Sequence, residues 1–161
     1  MPPSPARSVM PPSRARSDAL VLFGASGDLA RKKLFPALYR LTRRGRLGMP
    51  VIGVALSAWG DEQLREYARS AVAEQEASPD QAALADLVGS LSYVCGDYSD
   101  PATFRQLKER LAGRQHPLFY FAIPPSLFET VVGGLSSAGL EQGARVVVEK
   151  RSAVIVPRLR R

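Results

Sequence analysis

The residues best placed to do chemistry lie early in the chain, in Gly24-Ala25-Ser26-Gly27-Asp28-Leu29-Ala30. This stretch follows the apolar run Ala19-Leu20-Val21-Leu22-Phe23 and opens an amphipathic segment. A strand, a glycine turn and a helix start in that order form the context of a dinucleotide site. Gly24 permits the tight turn, and Gly27 carries no side chain to hold a diphosphate off the backbone. The amides and partial positive charge of the helix start would then face the anion, with the Ser26 hydroxyl as a further donor. The spacing is G-x-x-G, one glycine short of G-x-G-x-x-G, so a turn serving only the backbone stays open. Asp28 likewise fits an ordinary first-turn acid.

Other chemistry is sparse. The one histidine, His116, precedes a predicted strand and so lies at the end of the sheet away from ligands, which reads as a loop histidine. The one cysteine, Cys95, rules out a disulfide framework, and no Cys/His cluster is spaced to hold zinc. That cysteine usage suits a reducing cytoplasm.

The elements needed to position the glycine turn are legible. Strands are predicted at 19–23, 50–55, 91–95, 118–123 and 144–148. Helices are predicted after the turn, at 61–75, at 79–88, from Pro101 to about Leu111, and at 125–137. In the first helix Ala30 or Leu29, Leu34, Leu38 and Leu41 share a face, and Pro36 predicts a kink because it frees the Lys32 carbonyl. In the next, Leu64, Ala68, Ala71 and Val72 point inward. Asp100 before Pro101 predicts an N-cap. Short apolar strands alternating with helices give an α/β fold, a doubly wound, Rossmann-like parallel sheet of about five strands with helices on both faces.

With 161 residues, 45% hydrophobic and 23% charged, the chain has room for one ordinary domain. The net charge of +7 resides entirely in two tails, residues 1–17 and 151–161, while the body 18–150 is neutral. A Pro/Ser/Arg-rich, disordered segment is expected at 1–17 and the globular domain at 18–150. The neutral body argues against a nucleic-acid partner, and no apolar run is long enough to span a membrane.

Beyond the glycine turn, Lys32-Lys33-Leu34-Phe35-Pro36-Ala37-Leu38-Tyr39, Ser92-Tyr93, Gly96-Asp97-Tyr98, Leu118-Phe119-Tyr120-Phe121-Ala122-Ile123-Pro124-Pro125 and Val146-Val147-Val148-Glu149-Lys150 follow in order. Together with Gly24–Arg31 they resemble the coenzyme domain of the glucose-6-phosphate dehydrogenase family. The resemblance implies NADP-dependent oxidation of glucose 6-phosphate to 6-phosphogluconolactone by a homo-oligomeric parent enzyme. It places the diphosphate on Gly24, Ala25, Ser26, Gly27, Asp28, Leu29 and Ala30, and the adenine side of the cofactor near Asp97 and Tyr98. Tyr120, Ala122 and Pro124 would line the nicotinamide. Lys33 would lie near the substrate, and Lys150 near both substrate and cofactor. Tyr120 equally fits core packing, and either lysine a solvated charge.

Two positions depart from the family. Where it carries an arginine for the 2′-phosphate, this chain has Leu56, with only the Ser57 hydroxyl beside it, so NAD stays open next to NADP. Where it continues Glu-Lys-Pro-Phe-Gly, Lys150 is followed by Arg151-Ser152-Ala153 and a basic tail. Restoring one cytosine after the Lys150 codon can recover Pro-Phe-Gly-Arg-Asp, so the tail is expected to be out of frame and the substrate domain absent. The family's base histidine would lie in that domain, so no catalytic residue is expected in this chain. A non-catalytic dinucleotide-binding module is the alternative reading.

Overall fold

The computed structural model describes residues 16–148 and the strand Val154–Ile155. The expectations for residues 1–15, for Lys150 and for the rest of the tail therefore lie outside the described residues. Strand β1 (Ala19–Phe23) leads through the glycine turn into a π-helical turn, Ala30–Leu34, and helix α1 (Phe35–Arg43). Then come β2 (Val51–Ala55), α2 (Asp61–Gln75), α3 (Gln81–Gly89), β3 (Leu91–Cys95) and α4 (Pro101–Leu111). The chain continues through β4 (Pro117–Phe121), a 3-10 turn Pro125–Leu127, α5 (Phe128–Ser137), β5 (Arg145–Val148) and β6 (Val154–Ile155).

The strands form one sheet in the order β3-β2-β1-β4-β5-β6. Strands β1 to β5 are parallel, as expected for the alternation, while β6 adds to β5 antiparallel, Val147 opposite Val154. Period-2 alternation divides the interior in two. Leu20, Leu22, Val51 and Leu91 face a core built with α1, α2 and α3. Ala19, Val21, Phe23 and Phe119 face a second core built with α4 and α5. Both faces are covered, which is why β1 and β2 are buried at every position. The outer edge of β3 is occupied by α2 side chains: Asp61 accepts from the Tyr93 amide at 2.8 Å and Arg65 donates to the Leu91 carbonyl at 3.0 Å.

Local signals reproduce well where they are self-contained. Asp100 caps α4 by accepting from the Ala102 amide, with Pro101 next; Asp80, not singled out in the sequence, likewise caps α3 through the amides of Ala82 and Ala83. Leu64, Ala68, Ala71 and Val72 are the buried residues of α2.

The first helix differs from expectation. Pro36 lies in the first turn of α1, and the irregularity is a π-helical turn ahead of it, closed by the Phe35 amide on the Ala30 carbonyl. The wider turn shifts the helical register, so Phe35 and Tyr39 are buried and Leu41 is exposed. The carbonyl of Lys32, which Pro36 leaves without an amide, accepts instead from Gln75 Nε2 at 3.1 Å. The fourth strand also ends earlier than expected, at Phe121. Ala122 adds one last ladder bond to the Phe23 carbonyl at 2.9 Å, and Pro124 and Pro125 just beyond have no amide to offer.

Helices α4 and α5 meet through Gly134, where a Cβ would lie 2.2 Å from the ring of Phe104. That ring is itself buried, so it has no room to retreat. Gly134→Val is expected to destabilise the fold by about 1–3 kcal/mol, the usual range for overpacking, measured as a drop in the urea midpoint at unchanged m-value.

Candidate functional site: the glycine turn at the sheet switch point

Neighbours of β1 leave it in opposite directions, the chain moving outward to β2 and β3 on one side and to β4 and β5 on the other. Ligands of such sheets bind at the carboxyl ends of the strands at this switch point, which is where the turn Gly24–Gly27 stands. Gly24 has φ +88°, and a Cβ on it would lie 2.2 Å from the Ala122 carbonyl oxygen. Both the backbone conformation and the approach of the β4 end therefore require glycine there. Gly27 is different. It is exposed, has no positive φ, and a Cβ would meet only the Gly24 carbonyl at 3.4 Å. The protein's own contacts do not demand glycine at 27, and the space a side chain would take lies open to solvent. That vacant shoulder fits a diphosphate approaching the backbone.

Helical backbone begins at Asp28, so the first-turn amides at this corner lack intrahelical acceptors. Gly27 donates to the Gly24 carbonyl at 3.0 Å, and the Arg31 amide donates to the Gly27 carbonyl at 3.2 Å. The turn is tied to β2 through the Gly24 amide on the Val54 carbonyl at 2.9 Å and the Ser57–Ser26 hydroxyl pair at 2.9 Å. Ala25 and Ala30 are fully buried, so their contribution to a ligand is restricted to backbone; Leu29 is half-buried. Asp28 is exposed, with Lys32 Nζ at 3.9 Å. Lys33 is exposed on the π-helical turn.

Among the described residues, Ser57, Asp97, Tyr98, Ala122 and Pro124 follow the carboxyl ends of β2, β3 and β4. Cys95, Gly96 and Asp97 follow β3 next to Leu56 and Ser57 after β2, with Cys95 Sγ 3.7 Å from the Leu56 carbonyl oxygen. Leu56 is 68% exposed. Asp97 accepts from both the amide and the hydroxyl of Ser99 at 2.8 Å, and these bonds hold its carboxyl below the usual range. Tyr98 packs edge-on against Phe23 at 5.7 Å and donates to the Val54 carbonyl at 3.1 Å. Its hydroxyl is thus committed to the protein, and Tyr98 also lines a groove of about 480 Å³ between α4 and α5. Tyr120 is half-buried against the α1–α3 core, while Ala122 and Pro124 leave β4 beside the glycine turn. His116 sits before β4, at the opposite end of the sheet, its Nδ1 3.4 Å from the Gly143 carbonyl oxygen.

Sequence reading did not single out Tyr67, Arg31, Ser70, Glu74 and Gln75, which join α2 to the turn. Tyr67 donates to the Gly27 carbonyl at 3.0 Å, and Arg31 reaches Ser70 Oγ at 2.7 Å and Glu74 Oε2 at 2.5 Å. The signal was the polar stripe Tyr67, Ser70, Glu74, spaced three and four residues apart beside the apolar face of α2.

Residues 21–152 match the family model described as "Glucose-6-phosphate dehydrogenase, NAD binding domain". The chain belongs to this family. It is 42% identical over 134 residues to glucose-6-phosphate 1-dehydrogenase 1 of Mycobacterium tuberculosis, covering 83% of this chain and 28% of that protein. To the Kluyveromyces lactis glucose-6-phosphate 1-dehydrogenase it is 35% identical over 146 residues, 81% of this chain and 29% of the relative. Among solved structures, the family member from Mycobacterium avium superposes with a TM-score of 0.79 at 45% identity, covering 84% of this chain and 30% of that one. A glucose-6-phosphate dehydrogenase in complex with its substrate glucose-6-phosphate gives 0.70 at 31% identity, with 83% and 30% covered. The chain thus spans under a third of the length of the relatives it matches. Among the described residues, no helix is long and apolar enough to cross a membrane.

Gly24→Ala is expected to cost at least ~2 kcal/mol, because the left-handed backbone and the Ala122 contact act together; chemical denaturation measures it. Burial pushes Tyr98 up to about 12, and Tyr93, whose hydroxyl donates to the Ser57 carbonyl, rises further for the same reason. A raised acid pKa contributes stability that is complete below the unfolded value near 10 and is lost as pH climbs through the folded one. The urea midpoint is therefore expected to fall between about pH 10 and 12, and less steeply in Tyr98→Phe.

Proposed function

We propose that this chain binds a nicotinamide dinucleotide with its diphosphate on the backbone of Gly24–Ala30, as the coenzyme-binding part of a glucose-6-phosphate dehydrogenase. The observation that carries the reading is Gly27, a glycine that the fold's own contacts do not require, at the helix start of the sheet's switch point. Ser26 would add a hydroxyl to the diphosphate, Ser57 would serve the ribose side, and Asp97 with Tyr98 the adenine side. Tyr120, Ala122 and Pro124 would border the nicotinamide, and Lys33 and Lys150 the sugar phosphate. In such an enzyme the dinucleotide supplies a hydride acceptor for C1 of glucose 6-phosphate, whose oxidation yields 6-phosphogluconolactone. The role of these residues is to hold the diphosphate, orient the ring and narrow the water-exposed side of the site.

NADP is the cofactor that the family resemblance favours. The rim formed by Leu56 and Ser57 carries no cation, and the Ser57 hydroxyl is already paired with Ser26, so a 2′-phosphate gains little charge stabilisation there. NAD is accordingly proposed as a usable second cofactor. A base for the C1 hydroxyl proton is also required, and the chain's one histidine, His116, stands at the far end of the sheet. On this reading the 161-residue chain binds coenzyme without turning over substrate. The proposed setting is cytoplasmic and the parent enzyme homo-oligomeric; two plant relatives carry "cytoplasmic" in their names.

Calorimetric titration of the purified chain tests this. NADP and NAD are expected to bind with affinities within about tenfold of each other, and Leu56→Arg to strengthen NADP by about five- to tenfold without helping NAD. NADPH formation from glucose 6-phosphate is expected at background. Failure of both dinucleotides to bind a chain with native circular dichroism would overturn the coenzyme reading.

A further inference from the structure

Gly27 has more conformational freedom than Ala25, Ser26 or Asp28 beside it, yet its carbonyl is held twice. It accepts from the Arg31 amide at 3.2 Å, within the helix, and from the Tyr67 hydroxyl at 3.0 Å, from a residue 40 positions further on. The carbonyl of Gly27 and the amide of Asp28 belong to one planar trans peptide group and point in opposite directions. Fixing the oxygen along the helix therefore turns the Asp28 N–H outward, toward the vacant shoulder at Gly27. Without a second anchor, glycine tolerates rotation of that peptide group at small cost.

Tyr67 is itself held in place. Its ring meets Phe35 edge-on at 6.2 Å and Trp59 at 5.0 Å, and the Arg31 guanidinium lies over it at 5.1 Å. Arg31 is tied in turn to Ser70 and Glu74, which lie on the same face of α2 as Tyr67. The bond to Gly27 thus comes from a side chain that packing and a cation already orient. Burial raises the Tyr67 pKa, which the Arg31 charge partly offsets, so the hydroxyl is a proton donor throughout the neutral range.

We propose that Tyr67 is a positioning residue for the diphosphate: its hydroxyl locks the Gly27–Asp28 peptide group with the amide facing the anion, and Arg31 braces the ring. The proposal rests on the dinucleotide reading and goes beyond it in assigning part of the affinity to a residue of α2 outside the glycine motif.

The test compares the full chain with Tyr67→Phe, titrating ADP, NADP and adenosine. Loss of the anchor is expected to weaken ADP and NADP by about tenfold, the effect of one hydrogen bond to an oriented donor group. Adenosine, which lacks the diphosphate, should bind both proteins alike. The thermal midpoint should stay near that of the parent, because the ring contacts persist. If Tyr67→Phe does not fold, Arg31→Gln, which keeps the hydroxyl but removes the brace, is measured by the same criterion with a smaller loss expected. Equal ADP affinity in variant and parent overturns the positioning role and leaves the dinucleotide reading intact. A parallel loss for adenosine also overturns it, since that reports damage to the whole site. A parent chain that binds neither ADP nor NADP removes both readings.

Discussion

The architecture of the site depends on how closely the end of β1 approaches the end of β4. The Ala122 carbonyl sits where a Cβ of Gly24 would be, and the Ala122 amide completes the β1–β4 ladder on the Phe23 carbonyl. That one contact brings the glycine turn and the Ala122–Pro124 turn to a common edge. Gly24 takes φ +88° at this contact, a conformation that glycine adopts without a side-chain penalty. Everything proposed about a bound dinucleotide uses the crevice that this approach creates.

Around that contact the fold supplies a second layer of restraint from α2. Four side chains spaced along one side of the helix, Tyr67, Ser70, Glu74 and Gln75, bond to the turn and to the first helical residues. Gln75 replaces the amide that Pro36 cannot provide to the Lys32 carbonyl, so the π-helical turn costs little in unsatisfied polar groups. A π-helical turn at this place advances the register by a fraction of a turn, with Lys33 on its exposed side and Phe35 and Tyr39 packed inward. Helix α2 thus covers the outer edge of β3 at its first turn and braces the glycine turn further along.

The electrostatics of the rim are unusual for a site offered to a multiply charged ligand. The loops after β2 and β3 present Leu56, Ser57 and Asp97, and Asp97 is held ionised by Ser99. On the proposed reading, attraction for a diphosphate would come from oriented amides and the helix start, which act locally and only on the atoms they touch. A site of that kind would be sensitive to small rotations of one peptide group, which is the basis of the role proposed for Tyr67.

Much of this was legible in the chain itself. The continuous burial of β1 and β2, the cap Asp100 and the inward face of α2 follow from sterics and hydrogen bonding within a few residues, and the structure reproduces them. The glycine turn and its strand–turn–helix context are local in the same sense. What the residues alone did not reveal is tertiary. The π-helical turn and the exposure of Leu41 depend on partners distant in sequence, as do the bonds from Tyr67 to Gly27 and from Gln75 to Lys32. Local preferences choose an element's type because each residue carries its own backbone restrictions. Register, helix width and the aim of one amide are chosen only when another element arrives to satisfy the groups left over.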